Sequence, residues 1–237
     1  MLNPNPPHAV RVPIMFQTWT DISFLHWRYD AAVLQARLPQ QLWVDQYQGS
    51  AWISLTPFLL ENLRGPLMPA LPWLSRFPET NLRTYVNGPA GPGIWFFSLD
   101  ADRLAAVVGA RTSFGLPYHW ANMSVKHEGH RMHYYSSRGG RAQSRIEVEI
   151  GSPLIEPDEL ATFLVARYRL YSVHAGQLIS VPVEHRAWPL HRAAVVYLEQ
   201  TITAAAALDV KNQNPEVHFS PGVTVRVGPA AKHRSEV

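Results

Sequence analysis

Twenty prolines and fourteen glycines are scattered along the whole of this 237-residue chain. Each proline removes a backbone donor and fixes φ, and each glycine loosens the chain, so this scatter means many turns. Between these breaks lie short runs of β-branched and aromatic residues bounded by turn formers. The pattern predicts a β-rich fold with many turns rather than a helical bundle. Hydrophobic residues make up 46% of the chain, enough for a sizeable core. No repeat or linker divides it. We read an extended arm at 1–13 that holds Pro4, Pro6, Pro7 and Pro13, one domain at 14–228, and a polar tail at 229–237.

Local patterning predicts nine or ten strands and three or four helices. Asp30 caps a short helix at 31–38, which stops before Pro39. Strands at 43–47 and 51–58 flank Gln48-Gly49-Ser50. Residues 61–78, with Pro66, Pro69, Pro72 and Pro78 among Leu, Met and Trp, read as an apolar loop. Such a loop covers one end of a core, closes a pocket as a lid, or is buried against a second copy of the chain. Strands 81–86 and 94–99 form a hairpin across Asn87-Gly88-Pro89, and Asp100 is read as the N-cap of a helix at 101–111. A second hairpin pairs 120–127 with 131–137 about Glu128-Gly129. Further strands follow at 145–150, 178–184, 193–198 and 223–227. Helices are expected from Pro157, with Asp158 and Glu159 in the first turn, to about Tyr168, and near 201–208.

Composition narrows the function classes. The net charge is only +3, carried by eighteen arginines and three lysines with no dense basic run, so nucleic acid is not an expected partner. The absence of cysteine excludes disulfides and thiol chemistry. The first residues show no signal-peptide pattern and no window is apolar enough for a membrane helix, so a cytoplasmic protein is expected. No GxSxG, P-loop, GxGxxG or HExxH motif occurs, and no cofactor is expected.

Four groups of residues could carry chemistry. His127, His130 and His133 invite a metal reading, but they flank a hairpin tip beside Lys126 and Arg131, so solvated residues and no metal are the expectation. In the run Tyr118 to Val125, alternation places Tyr118, Trp120, Asn122 and Ser124 on one face, either a cavity wall or a solvent face. Glu79, Asn81, Arg83 and Tyr85 share a strand face, with Ser98 on the neighbouring run. Arg offers a carboxylate a bidentate fork and Tyr a hydroxyl; the competing reading is a buried Arg–Glu pair. The fourth group, Tyr168 to Tyr171 with His185 and Trp188, reads either as a pocket edge or as packing at a helix exit.

With these residues in view, the chain resembles the bacterial DUF2071 or YqjF-like family of the acetoacetate decarboxylase-like superfamily. The matching pieces are FLHW at 24–27, AWISLTPF at 51–58, FPETNLRTYV at 77–86, FFSLDA at 96–101, GLPY at 115–118, RYRLY at 167–171 and the His185/Trp188-Pro189-Leu190 segment. The resemblance implies an α+β, mainly antiparallel fold: a closed β-barrel with an internal cavity and a few flanking helices. The decarboxylase relatives use a pair of lysines after a Gly-aromatic-Pro turn, one forming a Schiff base and the other depressing its pKa. Here Gly115-Leu116-Pro117 is followed by Tyr118 and His119, so both lysines are missing. Lys211 and Lys232 sit in polar stretches, and Lys126 lies eight residues beyond Tyr118, about 26 Å along an extended strand.

The resulting expectation is a small-molecule-binding cavity without Schiff-base chemistry. Its ligand is a small organic acid or aromatic compound, anchored by Arg83 and walled by Tyr85, Tyr118 and Trp120, with Asn81, Ser98 and Glu79 alongside. The alternative is a lyase or isomerase in which Tyr118 or His119 moves protons and Arg83 holds the anion. A homo-oligomer is compatible with either.

Overall fold

The longest strand, β1 (Met15–Tyr29), forms where the sequence reading finds only a short motif. Its run MFQTWTDISFLHWRY is aromatic and β-branched, but it does not alternate cleanly. Asp21, at φ 49°, interrupts the pairing between Thr20 and Leu25, and the irregularity shifts which residues face inward. The computed structural model describes residues 3–72, 74–211 and 213–233. After β1 come α1 (Ala31–Gln35), β2 (Trp43–Val44), β3 (Ala51–Arg64), β4 (Phe77–Gly88), β5 (Gly91–Ala101), α2 (Leu104–Phe114), β6 (Tyr118–Trp120), β7 (Asn122–Glu128) and β8 (Arg131–Ser137). Then follow β9 (Gln143–Pro153), α3 (Glu159–Val165), β10 (Arg169–His174), β11 (Gln177–Glu184), β12 (His191–Gln200), α4 (Ile202–Ala205), β13 (Glu216–Val227) and β14 (Ala231–His233).

Fourteen strands make one mostly antiparallel sheet. Seven of them, in the order β11-β10-β5-β4-β3-β1-β13, close into a ring because β13 pairs back onto β11 through Val183–Val227 and Glu184–Arg226. Only β10–β5 and β5–β6 are parallel. From β13 the sheet continues as a wing, β12-β9-β8-β7. Alternation sorts side chains into two cores. Phe24, Trp52, Phe58, Phe77 and Phe96 fill the ring with residues of α3. Leu25, Trp27, Ile53, Leu55 and Leu82, from the other face of the same strands, pack against Met132, Ile146 and Val148 of the wing.

Several local expectations shift. β3 and β4 extend into both ends of the apolar segment 61–78, up to Arg64 and from Phe77. Asp30 does cap α1, accepting from Ala32 and Val33, but that helix ends at Gln35. Asp158 caps α3 through Ala161, and the chain leaves that helix at Val165, freeing Arg169–His174 for strand pairing. Asp100 is not an N-cap: it belongs to β5, is fully buried, and α2 begins later without a side-chain cap. The stretch read as a polar tail contributes β14, paired with β11. The arm is irregular but anchored: the Val10 amide donates to Glu184 at 2.6 Å and the Tyr168 hydroxyl donates to the Pro4 carbonyl. No helix among the described residues is long and apolar enough to cross a membrane.

Candidate functional site

The ring encloses a cavity of about 400 Å³. Its walls are mainly apolar, and β4 supplies its polar face. The inward residues of β4 are Phe77, Glu79, Asn81, Arg83 and Tyr85; the first four line the cavity. Tyr118 joins them because Gly115, at φ 63°, ends α2 and turns the chain into β6. A Cβ at Gly115 would lie 2.2 Å from the Val173 carbonyl oxygen, so only glycine fits there. Arg167, Arg169, His185 and Trp188 enter from the α3 exit and the segment after β11. The group left open between pocket edge and helix packing therefore lies largely on the pocket.

Arg83 is the electrostatic centre. It is 7% exposed, and its Nε and Nη2 have no hydrogen-bond partner among the described residues. Its guanidinium bonds with Tyr85, and its Cζ lies 5.5 Å from the Phe24 ring centroid. No carboxylate among the described residues forms an ion pair with it, so the expected Arg–Glu pair is absent there. Burial and the neighbouring Arg167 press its pKa downward, yet an arginine stays charged in a protein. Arg167 differs: its Nη1 donates to Asp45 at 2.6 Å and its Nε to the Phe163 carbonyl at 3.0 Å. Of the three lining guanidiniums, Arg167 is neutralised by Asp45, Arg169 reaches the Pro92 carbonyl at 3.4 Å, and Arg83 is uncompensated among the described residues.

Glu79 has the opposite problem. Burial raises its pKa to about 8, despite hydrogen bonds donated by Tyr118 and Asn81 that lower it; Asp100 raises it further. The carboxyl is mostly protonated at neutral pH, and its Oε2 has no partner, like Oδ1 of Asn81. Burial first, and Glu79 second, push the Tyr118 hydroxyl well above its ordinary value. His185 is held near a pKa of about 4, chiefly by burial. Its Nδ1 donates to the Arg186 carbonyl at 2.7 Å, which leaves Nε2 as the acceptor on a ring tilted between Tyr168 and Trp188.

Four residues expected at the site lie elsewhere. Ser98 is turned outward by a bulge in β5: Leu82 faces Ser98 but Arg83 faces Phe96, so Phe97 is the extra residue. Arg138 then donates to Ser98 at 2.9 Å and pairs with Asp100, which also accepts from Ser136 at 2.8 Å. Trp120 is 53% exposed and does not touch the cavity; Asn122 and Ser124 are exposed as well, so beyond Tyr118 that face is a solvent face. His119 points away from the cavity, and burial with Arg138 and Arg111 holds its pKa near 4. Tyr85 is buried behind Arg83, its hydroxyl 2.9 Å from His26 Nδ1. The lining role of Arg167 escaped the sequence reading, because nothing in a helix-exit residue shows which wall it reaches. Among the described residues no three of His, Asp and Glu converge as metal ligands would; His127 faces Asp21, and His133 lies between Glu128 and Glu147.

Comparison with known proteins agrees with this architecture. The family model DUF2071, described as an uncharacterized conserved protein, matches residues 16–224. The uncharacterized protein YqjF of Bacillus subtilis is 40% identical over 223 residues, covering 92% of each chain. An acetoacetate decarboxylase-like enzyme from Sphingomonas wittichii superposes with a TM-score of 0.69 at 14% identity, over 97% of both chains. The enduracididine biosynthesis enzyme MppR, solved in complex with pyruvate, gives 0.66 at 12% identity over 95% of this chain and 93% of that one. At these identities the two structures establish the likeness of fold.

Proposed function

This chain belongs to the DUF2071 family, and from that premise we propose that its cavity binds a small organic acid through Arg83, without imine chemistry. The observation that carries the reading is the buried, uncompensated guanidinium facing an apolar cavity with two nitrogens unpartnered. Such a group is costly unless an anion completes it. The protonated Glu79, whose Oε2 has no partner among the described residues, supplies a donor for a carbonyl or hydroxyl oxygen of the same ligand. The three lysines are all exposed and none lines the cavity, so no amine is available for a Schiff base. MppR, of the same fold, holds pyruvate, and that chemical class suits these donors. Calorimetric titration with pyruvate and acetoacetate tests the reading. Binding is expected in the parent protein and lost in Arg83→Ala, with no lysine adduct trapped by borohydride. Equal affinity in Arg83→Ala removes Arg83 from the site.

One observation favours a second reading on the same cavity, proton transfer. Glu79 is an acid held protonated at neutral pH, while the lining ring of His185 keeps a free acceptor nitrogen. An acid and a base of this kind enolise a 2-oxo acid: His185 takes a C3 proton, and Glu79 donates its proton to the carbonyl oxygen. Exchange of the pyruvate methyl protons for deuterium, followed by NMR, is then expected and is lost in Glu79→Gln. A rate equal to the buffer's rules the second reading out and leaves the first intact.

A further inference from the structure

We propose that the acid held by Arg83 carries an unbranched hydrophobic tail, which runs from β4 along the small-residue face of α2. The proposal rests on Arg83 as the carboxylate anchor and names the class of acid.

Size is the first argument. At about 30 Å³ per water, the cavity's roughly 400 Å³ corresponds to about thirteen water volumes. A three-carbon oxo acid has six heavy atoms and fills less than half of that space. The second argument is the sorting of the walls. Most of the lining atoms without partners, on Glu79, Asn81 and Arg83, come from one strand, and Nη2 of Arg167 joins them from the α3 exit. An apolar stretch of the lining, Phe58, Leu60, Leu63, Leu74, Phe77 and Phe114, lies apart from these atoms in sequence except for Phe77. A short acid satisfies the first region and leaves the second empty.

The third argument lies in α2. Its cavity face carries Ala105, Ala106, Gly109, Ala110 and Ser113, with Phe114 at the C-terminal end, while Leu104 and Val108 face outward, 62% and 52% exposed. An amphipathic helix normally turns its large apolar residues to the core; α2 does so with Val107 but sets three alanines, a glycine and a serine against the cavity. A Cβ built on Gly109 meets nothing within 4 Å. The helix therefore leaves a channel, and the buried, unpartnered Arg83 identifies the end that takes the head group.

The test is a series of straight-chain 2-oxo acids, from pyruvate through 2-oxohexanoate and 2-oxooctanoate to 2-oxodecanoate, titrated below their aggregation concentrations. The proteins are the parent, Arg83→Met, Gly109→Leu and Ala110→Leu. Each buried methylene is expected to tighten binding about fourfold, with a plateau near 2-oxooctanoate, where the channel is full. Gly109→Leu fills the channel from its open side, and the preference for 2-oxooctanoate over pyruvate is expected to fall at least tenfold. Ala110→Leu does the same from the centre of the face and serves if Gly109→Leu fails to fold. A flat series with Arg83-dependent pyruvate binding overturns the tail and leaves the anchor standing. A series that tightens equally in Arg83→Met overturns the anchor. Unaltered chain-length preference in both leucine variants places the tail elsewhere and refutes the channel.

Discussion

Replacing Arg83 with methionine is expected to stabilise the unliganded protein while abolishing acid binding. Arg83 is 7% exposed, lacks a carboxylate partner among the described residues and leaves Nε and Nη2 unpartnered. Each unsatisfied buried donor costs about 1–3 kcal/mol, and replacing a buried charge by an apolar side chain of similar volume gains about 1–4 kcal/mol. Against this, Arg83→Met gives up the bond with Tyr85 and the contact over Phe24, the latter worth about 0.5–2 kcal/mol. Methionine keeps the apolar part of that packing. The net is about 2 kcal/mol of stabilisation, which for a domain of this size raises Tm by roughly 4–8 °C. Scanning calorimetry of both proteins, with and without millimolar pyruvate, measures it. The parent is expected to melt lower without ligand and to gain stability with it; the variant melts higher and does not respond. A variant that melts several degrees lower and still responds to pyruvate would show that Arg83 holds the fold together rather than a ligand.

Three other outcomes follow from the same geometry. Glu79 has a folded pKa of about 8 against an ordinary 4.5. The folded state therefore binds the extra proton in that window, and stability is full below pH 4.5 and falls as pH rises through 8, by on the order of 4 kcal/mol. Urea titrations at pH 5.5 and 8.5 should show this loss, and Glu79→Gln should flatten it; an equal slope in the variant assigns the effect to another group. Arg138→Ala leaves the fully buried Asp100 with only Ser136 as side-chain partner and is expected to cost about 3–5 kcal/mol in chemical denaturation, a loss under 1 kcal/mol being incompatible with a tight pair. Gly115→Ala drives a Cβ into the Val173 carbonyl; a cost above roughly 2 kcal/mol is expected, together with weaker pyruvate binding through displaced Tyr118, and full retention of both refutes the role given to that turn.

The legibility of the site follows from the length over which strand alternation holds. Between Phe77 and Tyr85 it holds without interruption, so Glu79, Asn81 and Arg83 could be assigned to one face from spacing alone. The same rule applied to β5 misplaces Ser98, because one bulged residue, Phe97, inverts every position after it. Asp100 has the residue type of an N-cap and precedes a helical run, yet its carboxylate is used by Arg138, thirty-eight positions later. Trp120 fails for a different reason: it keeps the parity of Tyr118 within β6, but its position two residues on lies beyond the cavity, in solvent.

The proline and glycine spacing, the β-branched runs and the alternating faces are local properties, and they determined a β-rich chain with Arg83 on an inward strand face. The missing lysine pair after Gly115-Leu116-Pro117 is likewise written in the sequence. Tertiary structure alone decided that Asp45 neutralises Arg167 while Arg83 has no carboxylate partner among the described residues, that Glu79 is desolvated enough to hold its proton, and that α2 sets small residues against the cavity. Charge compensation and desolvation depend on which side chains arrive from distant strands. That is settled only when β13 closes the ring onto β11.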